Sequence, residues 1–182
     1  MKLKLIIFLT LFFVIGYPAC HCPDFYLITG IQKFWFFERG SLDRIEGGEI
    51  IADTLYIHLI LDVESFTDAG IPDLGLMSSV EAFTFDCVTP LANSIESIIF
   101  LSSNDFNEIP AGQSLNSKLR NADYNISVDS TTLFFSSGQF YDSSMSFQFI
   151  EKPVKPDHTF KVVIVDNAGN EFTYDAQPLI WH

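Results

Sequence analysis

The sequence predicts an all-β fold, a single antiparallel β-sandwich of about seven to nine strands occupying residues 25–182. Three observations predict it. After residue 24 the hydrophobic period is two, not 3.6. The alternating runs are separated by clusters of Gly, Pro, Asn, Asp and Ser, the punctuation of an all-β chain. Phenylalanine, with high β-propensity and a large apolar area, occurs 19 times and suits two facing sheets.

The elements follow in order. Residues 25–31 predict a first strand, and 33–37 a short aromatic one. Residues 54–62 alternate: Leu55, Ile57, Leu59 and Leu61 point one way, Tyr56, His58 and Ile60 the other. Residues 80–88 put Phe83, Phe85 and Cys87 on one face. Residues 95–101 are nearly all apolar, the pattern of a central strand. Residues 144–150 turn Met145, Phe147 and Phe149 inward. Residues 160–165 and 171–175 close the set as a hairpin around Asp166-Asn167-Ala168-Gly169-Asn170, where Gly169 can supply a positive φ. Helical turns are expected only at 115–122 and 73–77. Residues 102–130 form the longest weakly patterned stretch, read as an elaborate or functional loop.

The first residues read as an address. Lys2 and Lys4 precede an apolar run from Leu5 to Ile15 broken only by Thr10. Eleven residues fit a signal-peptide core of about 7–15; a membrane span needs about 20. Tyr17-Pro18-Ala19-Cys20 resembles a relaxed lipobox of Bacteroidota lipoproteins, which implies cleavage after residue 19, lipidation of Cys20 and a short tether at 20–24. The competing reading is a secreted or signal-anchored protein with an ordinary thiol at Cys20. If Cys20 is acylated, Cys22 and Cys87 are an even pair, which suggests one disulfide in an oxidising compartment; equally, Cys87 reads as a buried apolar residue and Cys22 as a free thiol. No cofactor is expected.

Charge narrows the partners. Ten Lys and Arg stand against 23 Asp and Glu, a net charge of −13. Sequence-independent nucleic-acid binding needs a basic face, so no nucleic-acid partner is expected. A polyacidic body is also repelled by anionic head groups, so the expected membrane contact is the lipid on Cys20.

Two further resemblances bear on fold and location. Residues Val163 to Thr173, with their Asp-Asn-Ala-Gly-Asn turn, resemble the terminal hairpin of bacterial immunoglobulin-like domains, which implies an immunoglobulin-like sandwich. The layout of lipid-type signal, β body, Asn104-Asp105-Phe106-Asn107 segment and closing hairpin resembles small lipoproteins of Bacteroidota with a domain of unknown function. That implies an outer-membrane envelope location, facing the periplasm or the surface, and transfers no catalytic residue.

There is no Gly-x-Ser-x-Gly elbow and no phosphate-cradling glycine loop. His58 reads as a partly exposed strand histidine, and His158, after Pro156 and Asp157, as part of a turn. Calcium needs several oxygen ligands on a loop; Asp62, Glu64 and Asp68 are one candidate group, and Asn104, Asp105, Asn107 and Glu108 another, though neither has the spaced EF-hand pattern. Phe34-Trp35-Phe36-Phe37 is the densest aromatic run. If Phe34 and Phe36 enter the core, Trp35 and Phe37 face away and could form a stacking platform with Tyr124 and Tyr141; the alternative is a strand covered on both faces. Asp53-Thr54-Leu55 and Asp129-Ser130-Thr131 resemble short O-glycosylation sites of Bacteroidota envelope proteins, Ser130 being the better placed. The expectation is a non-enzymatic envelope lipoprotein that binds a glycan, a peptide or an envelope protein. The alternatives are a polysaccharide hydrolase and a pilus-like structural subunit.

Overall fold

The computed structural model describes residues 25–41, 43–66, 91–136 and 143–182. Ten strands and one α-helix form among them: β1 (Phe25–Glu38), β2 (Gly48–Ile50), β3 (Leu55–Phe66), β4 (Ile95–Ser102), β5 (Leu119–Asn121), α1 (Val128–Ser136), β6 (Ser144–Phe149), β7 (Asp157–His158), β8 (Phe160–Asp166), β9 (Glu171–Asp175) and β10 (Leu179–Trp181). A four-stranded sheet, β1-β3-β6-β5, packs against a three-stranded sheet, β4-β8-β9. Both are antiparallel throughout. A small third sheet, β2-β10-β7, has a parallel β2–β10 pair.

Period-two alternation builds the core. Phe34 and Phe36 of β1, Ile57 and Leu59 of β3, and Met145, Phe147 and Phe149 of β6 are all buried. They meet Phe100 of β4 and Phe160, Val162 and Ile164 of β8. The aromatic contacts cross between sheets: Phe34 to Phe100 at 6.4 Å, Phe36 to Phe160 at 5.4 Å and Phe100 to Phe147 at 4.9 Å. Such tilted and edge-on pairs add about 0.5–1.5 kcal/mol each beyond area burial. The third sheet plugs one end of the core. Trp181 lies 5.3 Å from Phe149, and its indole N–H donates to the Ala52 carbonyl at 2.7 Å.

Several expectations change. The two early strands are one, with register irregularities at Ile28/Gly30 and Ile31/Lys33 that absorb the break in pattern. β3 runs on to Phe66. β4 is an edge strand, not a central one. Its apolar run is explained by α1, which packs on it and on β5 as well. Residues 115–122 make a single 3-10 turn, Asn116–Lys118, and then β5. The strand expected at 80–88 and the turn at 73–77 lie outside the described residues.

The weakly patterned middle is pinned to the body. The Asn104 amide donates to the Asp157 carbonyl at 2.7 Å. Asn107 donates to Glu151 at 2.8 Å and accepts the Val154 N–H at 2.8 Å. Lys118 reaches both Glu108 and Glu151. Ser127 caps α1 by accepting the Ser130 N–H at 3.2 Å.

Two asparagines stand in for missing strands. Asn116 accepts the Phe100 N–H at 3.1 Å and donates to the Ile98 carbonyl at 2.7 Å, closing the outer edge of β4. Asn93 does the same to β1: it accepts the Ile28 N–H at 2.7 Å and donates to the Ile28 carbonyl at 2.9 Å. Each gives a further N–H to an aspartate, Asn116 to Asp129 and Asn93 to Asp166.

Candidate functional site

Cys20, expected to be lipidated, the thiols Cys22 and Cys87, the acid Asp68 and the aromatic Tyr141 lie outside the described residues. No described helix is long and apolar enough to cross a membrane.

The aromatic run behaves as alternation requires. Phe34 and Phe36 are buried, and Trp35 and Phe37 lie on the opposite face of the four-stranded sheet, half-buried. Their rings pair across the strands: Trp35 with His58 at 4.5 Å, and Phe37 stacked on Tyr56 at 5.1 Å. The Arg44 guanidinium lies over the Trp35 ring, 4.2 Å from its centroid. These contacts use the ring faces that a bare platform would need. Tyr124 is 63% exposed but follows β5, at the opposite edge of the sheet from β1, with β3 and β6 between them. The sheet thus separates Tyr124 from Trp35 and Phe37, and the sequence reading missed Tyr56, His58 and Arg44 as their neighbours.

The candidate calcium ligands have other partners or other places. Asp62 and Glu64 sit on the paired length of β3, opposite Gly30 and Leu27, not on a loop. Asp105 accepts Lys155 Nζ at 2.7 Å and the Ala111 N–H at 3.1 Å. The Lys155 hydrogen bond, with the backbone bond, holds the Asp105 carboxyl below the usual range. Hydrogen bonds from Lys118 lower Glu108 and Glu151 likewise, and these two raise Lys118. The side chains of Asn104 and Asn107 are spent on pinning the loop. Among the described residues no three His, Cys, Asp or Glu side chains group to hold a metal.

The chemically suggestive buried groups hold the fold. His158 is not in a turn but in β7, 2% exposed, packed 5.3 Å from Phe160 and 5.5 Å from Phe106. Its Nε2–H donates to the Lys155 carbonyl at 2.7 Å, because a carbonyl only accepts; Nδ1 therefore accepts the Ser102 hydroxyl at 2.7 Å. Burial lowers its pKa. This Ser–His pair has a catalytic look but is sealed by aromatic rings. Asp166 is fully buried in the hairpin turn. Burial pushes its carboxyl up, yet hydrogen bonds from Asn170, Asn93 and the Ala168 N–H outweigh this and hold it low. The turn was legible from its Asp-x-Ala-Gly-Asn pattern; the Asn93 contact, 73 residues away in sequence, was not.

A cleft of about 270 Å³ opens where the edge of β1 approaches the edge of β9. Gln32, Lys33, Phe34 and Trp35 form one wall, Tyr174, Asp175 and Gln177 the other, and Arg44 and Glu46 the lip. Gly47 seats the lip. A Cβ there would lie 2.6 Å from the Gln177 Cβ and 2.9 Å from the Pro178 carbonyl oxygen, so only glycine allows the approach. Arg44 pairs with Glu46 at 3.6 Å. Lys33 and Arg44 balance Glu46 and Asp175, so the lining is locally neutral in a strongly acidic chain.

The backbone also faces this cleft. Phe36 exchanges both backbone bonds with Ile45, 2.8 Å each, on the side away from β3. Strand alternation points the Phe34 N–H and C=O the same way, two residues earlier. Asn93 closes the same edge of β1 at Ile28 and Ile45 closes it at Phe36, while between them Phe34 meets the cleft. Phe34 is 5% exposed, so its backbone groups sit at the floor. Comparisons with family models, curated proteins and solved structures find no match for this chain.

Proposed function

We propose that the protein is a lipid-anchored, non-enzymatic binding module of the cell envelope, tethered through Cys20. The leader and the Tyr-Pro-Ala-Cys sequence support the anchor. One observation carries the binding reading: Ser102, His158 and Asp166 are buried in bonds that hold the fold, whereas neutral-balanced polar side chains line the open β1–β9 cleft. The test of the anchor is the intact mass of protein extracted from host membranes, wild type against Cys20→Ala, with and without reductant. The proposal expects a chain starting at Cys20 with an added acyl mass that the variant loses. An unmodified chain, or one retaining residues 1–19, contradicts it. The reductant arm reports whether Cys22 and Cys87 are joined.

A hydrolase reading has one supporting observation, that Glu46 and Asp175 share the cleft. Paired carboxylates run glycoside hydrolysis when their separation suits the mechanism. That reading predicts release of reducing ends from envelope polysaccharide, abolished in Glu46→Gln or Asp175→Asn. Polysaccharide left intact by wild-type protein supports binding alone.

A further inference from the structure

We infer that the β1–β9 cleft takes a single neutral sugar unit of a glycan, held at its floor by the Phe34 backbone. The inference rests on the binding reading above and names its ligand class. Size comes first. Pockets that take drug-sized ligands hold about 300–1,000 Å³; at about 270 Å³ this cleft fits one small polar unit. Charge comes second. Lys33 and Arg44 stand against Glu46 and Asp175, so the lining offers no net attraction to an anion or a cation and suits a neutral polar ligand.

Hydrogen-bonding capacity comes third. The floor offers one donor and one acceptor from Phe34, and Gln32 and Gln177 add an amide each. A sugar hydroxyl donates and accepts at once, so adjacent hydroxyls can satisfy N–H and C=O together. A backbone pair left facing a cleft must otherwise be met by water. The half-buried Tyr174 supplies apolar wall for the C–H face of a ring, and Trp35, its ring already covered by His58 and Arg44, lines the cleft beside it. Tyr174 is fixed by stacking on Phe34 at 6.0 Å, and Trp35 by His58 and Arg44, so this wall is rigid before a ligand arrives.

The test uses the full chain in detergent, with tryptophan fluorescence as readout. Trp35 lines the cleft and Trp181, the second tryptophan of the chain, is buried far from solvent. The probes are glucose, galactose, mannose and N-acetylglucosamine, then glucuronate, glucosamine and a neutral tripeptide. A saturable response to at least one neutral sugar is expected, with Kd of about 1 mM for a ligand this small. Gln177→Ala should weaken it about tenfold, as should Asp175→Asn, while Tyr124→Ala, across the sheet, leaves it unchanged. No saturable response to any neutral sugar up to about 50 mM overturns the inference. So does tighter binding of the charged sugars or the tripeptide, which would leave the binding reading standing. Sugar binding by a chain that carries no lipid would overturn the anchor and not the ligand.

Discussion

The two open sides of the sandwich are finished differently. On the β4/β5 side, Asn116 takes the place of a strand along β4 and α1 packs over both edges. On the β1/β9 side, Asn93 and Ile45 fasten β1 at Ile28 and Phe36, and the stretch between them meets the cleft. An exposed strand edge invites pairing with other chains, so a fold must cover, charge or shorten it. One side is covered. The other is shortened at both ends and fringed with Glu171 and Asp175 on the exposed strand β9. The fold thus seals one edge and narrows the other, and the cleft lies at the edge left unsealed.

The two sides should differ most at their most buried points. Asn93→Ala removes three hydrogen bonds and strands the Ile28 backbone and an Asp166 oxygen in a site 5% exposed. A loss of about 3 kcal/mol is expected, read as a shift in denaturant midpoint at unchanged slope. A loss below about 0.5 kcal/mol would mean that the clamp at Ile28 does not hold β1. Asn116→Ala makes the equivalent change on the covered side, where Asn116 is only half-buried and water can replace it. About 1 kcal/mol is expected. If Asn116→Ala costs more than Asn93→Ala, the roles of the two sides are reversed.

Acid sharpens the contrast. His158 ties Ser102, at the end of β4, to Lys155 in its neutral form. Its folded pKa lies below the ordinary 6.5, so between the two values the unfolded chain binds the extra proton. Stability is therefore highest above pH 6.5 and falls as pH drops through that window. His158→Gln should flatten this step while leaving the later loss below the carboxylate value of 3.8, where Asp166 and Asp105 take protons. An unchanged step in the variant would assign it elsewhere. The smallest effect is expected at Lys118→Met. It removes the bridge to Glu108 and Glu151, whose lowered values then return toward 4.5. Thermal melting should move by no more than a degree or two, since both glutamates reach water and such ion pairs contribute little.

Much of the scaffold was legible because alternation is a local signal. Residues 55–61, 144–149 and 160–165 declared their inward faces, and Gly169 with Asp166 declared the hairpin. What was hidden depends on distant partners. β10 exists because Leu179 to Trp181 pair with β2, and Leu179 and Ile180 with β7, both distant in sequence. α1 is rich in Ser, Thr and Phe, poor helix formers, and is held by its Ser127 cap and by β4 and β5. Asn93 and Asn116 act as strand edges only once the sheets are in place. The cleft draws on residues 32–35, 44–46 and 174–177, three segments with no shared pattern. Trp35 was visible as an aromatic facing outward, but Arg44 over its ring was not.

Amide hydrogen exchange resolved by residue tests the open-edge account most directly. Phe36 donates to the Ile45 carbonyl and Phe100 to Asn116, whereas strand alternation turns the Phe34 N–H toward the cleft. The account predicts that Phe34 exchanges at least about tenfold faster than Phe36 and Phe100 despite its burial, and slows when a neutral sugar binds. Protection of Phe34 equal to theirs in the unliganded protein would contradict it, because the edge would then already be closed.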